Sequence, residues 1–228
     1  MKSSYYKYFA ALLLFGSNGI VASNINLPSY EIVLLRLLLG SLFLITVFTV
    51  SRQRFTFYRN KHTCLYLFIS ASAMGASWML LYEAYQQVGI SIASLAYYCG
   101  PVIVMILSPF LFRETLTWPK IAGFLTVLAG MCLVNLQALD EGKTIWGLFC
   151  GLMSAFMYAL MVTANKKAKP ESGLENSLLQ LVIGSFIVVA FVSMQKNFVL
   201  SLTTIDWIPV LLLGLLNTGI GCYLYFSS

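Results

Sequence analysis

Two ionisable side chains stand inside long apolar stretches of this chain, Arg36 within residues 32–50 and Glu83 within residues 64–86. A charge at the centre of a bilayer costs about 2.5–3.5 kcal/mol on insertion scales, so each of the two demands a reason. Both fall about one turn inside the same end of their stretches, and at ~1.5 Å rise per residue their depths match. Three chemistries suit them. They can form a structural charge pair, each relieving the other's burial. Glu83 can accept a proton, or Arg36 can anchor a solute carboxylate. Either can also reach for the nearer interface along its own stem.

Helical spacing selects a second set. Gly75, Trp78, Tyr82 and Tyr85 recur at i, i+3, i+7 and i+10, which gathers an aromatic stripe on one helix face. Such a stripe serves packing or lines a cavity in which the Tyr hydroxyls and the indole N–H find partners. Asn18, Tyr98, Asn135, Tyr158, Asn165 and Asn217 are further polar groups in or near apolar stretches. Pro101, directly after Gly100, removes a helical hydrogen bond and is expected to kink its helix, as a hinge or as a static bend.

Catalytic constellations are missing. His62 is the single His and lies in a basic segment, the eight acids are scattered, and no Gly-rich loop ends in Lys-Ser/Thr. Acyl transfer, metal-assisted chemistry and nucleotide-driven pumping each lack their residues, so no enzyme, metal or cofactor is expected. The five cysteines contain no C-x-x-C pair and read as small buried apolar residues.

The elements that carry these residues follow from composition. Of 228 residues, 59% are hydrophobic and 10% charged, and mean hydropathy is +0.83. Soluble domains carry roughly 25% charged residues, so a hydrated globule is excluded. The fold class is an all-α integral membrane protein with eight transmembrane helices, at residues 8–23, 32–50, 64–86, 92–112, 118–139, 145–164, 177–194 and 207–226. The first stretch reads as a retained span and not as a cleaved signal, because a helical partner follows at once.

Charge placement orients the bundle. With the N-terminus cytoplasmic, Lys2, Lys7, Arg52, Arg54, Arg59, Lys61, Arg113, Lys120, Lys166, Lys167 and Lys169 lie inside, while only Lys143 and Lys196 lie outside. The positive-inside rule favours that orientation in a plasma membrane, the bacterial inner membrane being expected. The net charge of +6 is thereby explained without nucleic acid.

An internal repeat is visible between Gly75–Ala84 and Gly219–Ser228, offset by 144 positions, with a similar shift between the first and sixth spans. Five spans then form one unit, residues 1–142, and a second unit starts at residue 143 and runs to 228. Because five is odd, the second unit is inverted. Counterparts of the fourth and fifth spans would fall beyond Ser228, so the second repeat is expected to be incomplete, with three helices.

The Arg36-Leu-Leu-Leu-Gly40 run, the Gly-rich aromatic third span, Gly100-Pro101 and Leu111-Phe-Arg-Glu114-Thr-Leu116 resemble the EamA-type transporters of the drug/metabolite transporter superfamily, built from two five-helix repeats. The resemblance implies a central cavity lined by the first, third, fourth, sixth and eighth spans, together with the ninth of the ten-span plan. Asn18, Trp78, Tyr82, Tyr98, Tyr158 and Asn217 are carried over as its substrate-binding candidates. Arg36 and Glu83 remain an intramembrane charge pair, and Gly100 and Pro101 a hinge. The expected function is secondary transport of a small metabolite by alternating access, with an amino acid or related hydrophobic or aromatic solute as substrate and with coupling to protons. The expected partners are that solute, the lipid bilayer, and a second copy or a complement supplying the missing helices. The rival reading is a non-transporting structural or regulatory membrane subunit.

Overall fold

The computed structural model describes residues 2–113, 115, 117–135, 145–194 and 207–227. Every regular element among them is helical: α1 (Lys2–Gly16), α2 (Asn18–Ala22), α3 (Ser29–Val50), a 3-10 turn (Phe57–Arg59), α4 (Lys61–Tyr97), α5 (Cys99–Phe112), α6 (Trp118–Asn135), α7 (Ile145–Ala168), α8 (Gly173–Ser193), α9 (Trp207–Leu211), a π-helix (Leu212–Ile220) and α10 (Gly221–Phe226). Glu114, Leu116, Lys143, Lys196, the end of the expected fifth span and the boundary at residues 142 and 143 lie outside the described residues.

Five helical stretches among the described residues are long and apolar enough to cross a bilayer: Tyr30–Val50, Lys61–Phe112, Ile145–Ala168, Gly173–Ser193 and Trp207–Phe226. The second has 52 residues; as one rod it would reach ~78 Å, more than twice the ~30 Å hydrocarbon layer. It reverses at Gly89, where φ is 78° and ψ 162°. Ala84 before the break and Ala93 and Ala96 after it all approach Gly151 of α7, which a straight helix could not arrange. A Cβ at Gly89 would meet nothing within 4 Å, so the whole cost of a side chain there is backbone strain. Gly89→Ala is expected to destabilise by about 1–3 kcal/mol. Gly123→Ala, at another open glycine, should cost nothing; thermal melting in detergent compares the two.

The kink expected at Pro101 sits one turn earlier. The interruption falls at Tyr98, between α4 and α5, because Pro101 has no N–H for the Tyr97 carbonyl and its ring crowds that oxygen. Pro101 then occupies the first turn of α5, where a missing N–H is harmless. The first span is also broken, at Ser17 between α1 and α2.

Helix association inside hydrocarbon relies on close approach and on interhelical hydrogen bonds, and this bundle uses both. On α7, Gly147 meets Gln87 and Val88, Gly151 meets Ala96, and the Ala155 carbonyl and Tyr158 ring meet Gly100. Ser77 Oγ donates to the Ser154 carbonyl at 2.9 Å and Ser154 Oγ returns a bond to the Ser77 carbonyl at 2.7 Å. Ser70 Oγ donates to the Met161 carbonyl at 2.9 Å and accepts from Gln180 Nε2 at 2.7 Å.

Two glycines set the crossing of α3, α4, α8 and the π-helix. A Cβ on Gly40 would meet Thr218, Gly214 and Leu181; one on Gly184 would meet Met74, Ala71 and Leu37. Beside them, Ser41 Oγ and Ser185 Oγ, 144 positions apart, lie 3.0 Å from each other.

Candidate functional site

The aromatic stripe on α4 faces an internal cavity of about 160 Å³. Trp78, Tyr82 and Tyr85 form one wall, Tyr97, Tyr98 and Pro101 flank the break between α4 and α5, and Tyr158 and Met161 come from α7. Tyr8, Phe15 and Asn18 close the side of the broken first helix, and Cys222, Tyr225 and Phe226 that of α10. The Tyr158 and Tyr225 hydroxyls lie 3.1 Å apart, so the two phenols bond to each other across the α7–α10 side of the wall. The Tyr97 ring meets that of Tyr158 nearly edge-on at 5.4 Å.

Arg36 enters this cavity from α3 and is only 2% exposed. Its Nε donates to Thr218 Oγ1 at 2.9 Å and its Nη1 to Tyr82 Oη at 2.6 Å. The guanidinium carbon stands 4.1 Å from the Trp78 ring centre and 5.3 Å from that of Tyr82, within reach of both aromatic quadrupoles. Nη2 has no hydrogen-bond partner among the described residues. Thr218 passes the interaction on, donating to the Leu213 carbonyl five residues earlier at 2.7 Å. That spacing belongs to the π-helix, a geometry found mostly as a local bulge at functional sites.

The structure brings Asn18, Trp78, Tyr82, Tyr98 and Tyr158 to one cavity wall together with Arg36. Asn217 stands off it: its Nδ2 donates to the Leu14 carbonyl, Ser17 Oγ and Asn18 Oδ1, each at 2.9 Å. Asn217 thus ties the π-helix to the break in the first helix. Gly100 lies behind the wall, under Tyr158, whereas Pro101 is on it.

The expected pairing of Arg36 with Glu83 is corrected. The guanidinium's hydrogen bonds go to Tyr82 and Thr218, while Glu83 Oε1 accepts from Gln87 Nε2 at 3.0 Å and lies near Cys150 of α7. Matching depth put the two charges at one level, but Glu83 follows Tyr82 by ~100° around the helix and looks another way. Sequence reasoning missed Thr218, Tyr97 and Tyr225. Thr218 sits beside the singled-out Asn217, and the π-helix decides which of the two meets Arg36.

A bundle of apolar helices, joined by serine bridges and close glycine contacts around an aromatic-walled cavity, has the build of a membrane transport protein. The chain belongs to the EamA-like transporter family, which it matches over residues 3–136 and 145–228. It is 27% identical over 229 residues to the uncharacterized transporter YxxF of Bacillus subtilis (strain 168), covering 97% of this chain and 72% of that protein. A second relative, the uncharacterized transporter in the sor 3'region of Acidianus ambivalens, is 27% identical over 130 residues, covering 57% of this chain and 50% of the relative. One solved crystal structure superposes with a TM-score of 0.73 over 100% of this chain and 79% of that one, at 18% identity, a likeness of fold. Family and relatives make this a multi-pass membrane transporter of the drug/metabolite type.

Proposed function

We propose that the chain is a secondary carrier, moving a small amino acid-like, hydrophobic or aromatic solute by alternating access. The observation that carries this reading is the cavity itself. It is walled by Tyr and Trp rings and bordered by the breaks at Ser17 and Tyr98, where backbone bonds are easiest to rearrange. Its size suits one small solute.

In this reading the bundle crosses the membrane eight times, and residues 1–142 and 143–228 are inverted repeats. The reversal at Gly89 supports the count by dividing a stretch too long for one crossing. The Ser41–Ser185 contact supports the repeat, since equivalent residues that touch lie on the axis relating two halves. The matched neighbours of Gly40 and Gly184 support it further: Thr218 answers to Met74 and Leu181 to Leu37, each 144 positions apart. Basic segments on one side give a cytoplasmic N-terminus in the plasma membrane.

Uptake by proteoliposomes containing the purified chain, tested over a panel of labelled amino acids and aromatic solutes, checks the reading. Saturable uptake and counterflow of at least one solute are expected, with an imposed pH gradient driving accumulation if protons couple. Glu83→Gln should then flatten the pH dependence. A folded chain that moves none of the panel would leave the structural or regulatory subunit as the better account.

A further inference from the structure

Arg36 is a buried cation whose recorded partners among the described residues carry no counter-charge. Its hydrogen-bond partners, Tyr82 and Thr218, are neutral hydroxyls, its guanidinium lies against the Trp78 and Tyr82 rings, and Glu83 Oε1 accepts from Gln87. Nη2 is fully buried and has no hydrogen-bond partner among the described residues, on a side chain that borders the cavity. Leaving a charged donor unpaired in a low-dielectric site is costly, and an anion that supplies the missing acceptor removes that cost.

We infer that the cavity takes a solute bearing a carboxylate and that Arg36 Nη2 receives one carboxylate oxygen. Nε is occupied and Nη1 spends one of its two N–H bonds on Tyr82, so the donors left for an anion are the second N–H of Nη1 and the two of Nη2. No second cationic side chain borders the cavity among the described residues, which disfavours dianions such as phosphate esters and suits a monoanion. The remaining wall of Tyr85, Tyr97 and Tyr158 offers ring faces to an apolar or aromatic body. The inference names the solute class for the carrier proposed above and rests on the same cavity.

The test is equilibrium binding to the purified full chain in nanodiscs, with 3-phenylpropionate, L-phenylalanine, phenethylamine and 3-phenylpropan-1-ol as probes of nearly one shape. Both carboxylates should bind at least tenfold more tightly than the alcohol and the amine, and comparing the two carboxylates tells a simple acid from an amino acid. Arg36→Gln should bring 3-phenylpropionate to parity with the alcohol. Arg36→Lys keeps the charge and serves where the Gln variant does not elute as a monodisperse peak; it should shrink the carboxylate preference and leave alcohol binding unchanged. Tyr82→Phe, which keeps the guanidinium, should retain the preference. Parity of all four probes on the unaltered chain overturns the inference, as does a preference that survives both Arg36 substitutions. Counterflow in vesicles separates the two readings: carboxylate binding without flux removes the carrier and keeps the site, whereas flux indifferent to carboxylates does the reverse.

Discussion

Gly75→Leu is expected to abolish the folded chain, read as loss of the monodisperse peak in fluorescence-detected size exclusion. A Cβ at Gly75 already lies 3.1 Å from the Gly184 carbonyl oxygen and 3.4 Å from its Cα, and backbone cannot rotate aside as a side-chain tip can. The leucine must therefore push α4 from α8. That movement would strip the Gln180–Ser70 bond between α8 and α4 and strain the reciprocal bridge from α4 to α7 at Ser77 and Ser154, Ser77 lying two residues on from Gly75. Overpacking alone costs typically 1–3 kcal/mol, and each buried polar group left unpaired adds about 1–3. The sum rivals the ~5–15 kcal/mol total stability of a typical domain. Gly75→Ala should cost roughly 1–2 kcal/mol by the same overpacking argument. Gly123→Leu, with nothing within 4 Å of its Cβ, is the control that should elute unchanged. Wild-type elution of Gly75→Leu would mean that α4 and α8 do not approach at these glycines.

That contact shows what composition and periodicity can and cannot reveal. Apolar run length located the helices, and 3.6-residue spacing placed Trp78, Tyr82 and Tyr85 on one face, because both signals are local. The partner of Arg36 was not local. Depth along the bilayer was legible, but direction around the helix was neglected, and the stripe through Tyr82 already excluded its neighbour Glu83 from that face. The exchange of Asn217 for Thr218 has a different cause. A π-helix shifts the register by about 100° relative to an α-helix, and nothing in the sequence 212–220 announces it. Asn18 was legible as a polar group in the first span, whereas the break beside it is held by a side chain about two hundred positions away. Glu175 went unread for the same reason: its partners lie in a loop far along the chain.

Glu175→Ala is expected to lower stability by about 3 kcal/mol, the combined cost of orphaned donors that were bound to a charged acceptor. Glu175 is 3% exposed in the first turn of α8, where the helix dipole favours a carboxylate. Its Oε1 accepts from the amides of Thr56 and Phe57 at 2.6 and 2.9 Å, and its Oε2 from Thr56 Oγ1 at 2.6 Å. One side chain thus fastens the segment after α3 to the start of α8, and without it two amides and a hydroxyl lose their acceptor. Glu175→Gln is the discriminating companion. Its amide oxygen can serve both backbone N–H groups while its NH₂ donates to Thr56 Oγ1, so only the charge assistance goes, for about 1 kcal/mol. Unfolding midpoints in mixed detergent, compared among the three proteins, read the order directly. Equal losses for Ala and Gln would show that charge matters and the hydrogen bonds do not. No loss in either would mean that the loop is not fastened there. The Glu175 hydrogen bonds hold the segment after α3 against the start of α8, away from the cavity. Glu175→Ala should leave solute binding by the folded fraction unchanged, since Glu175 does not border the cavity.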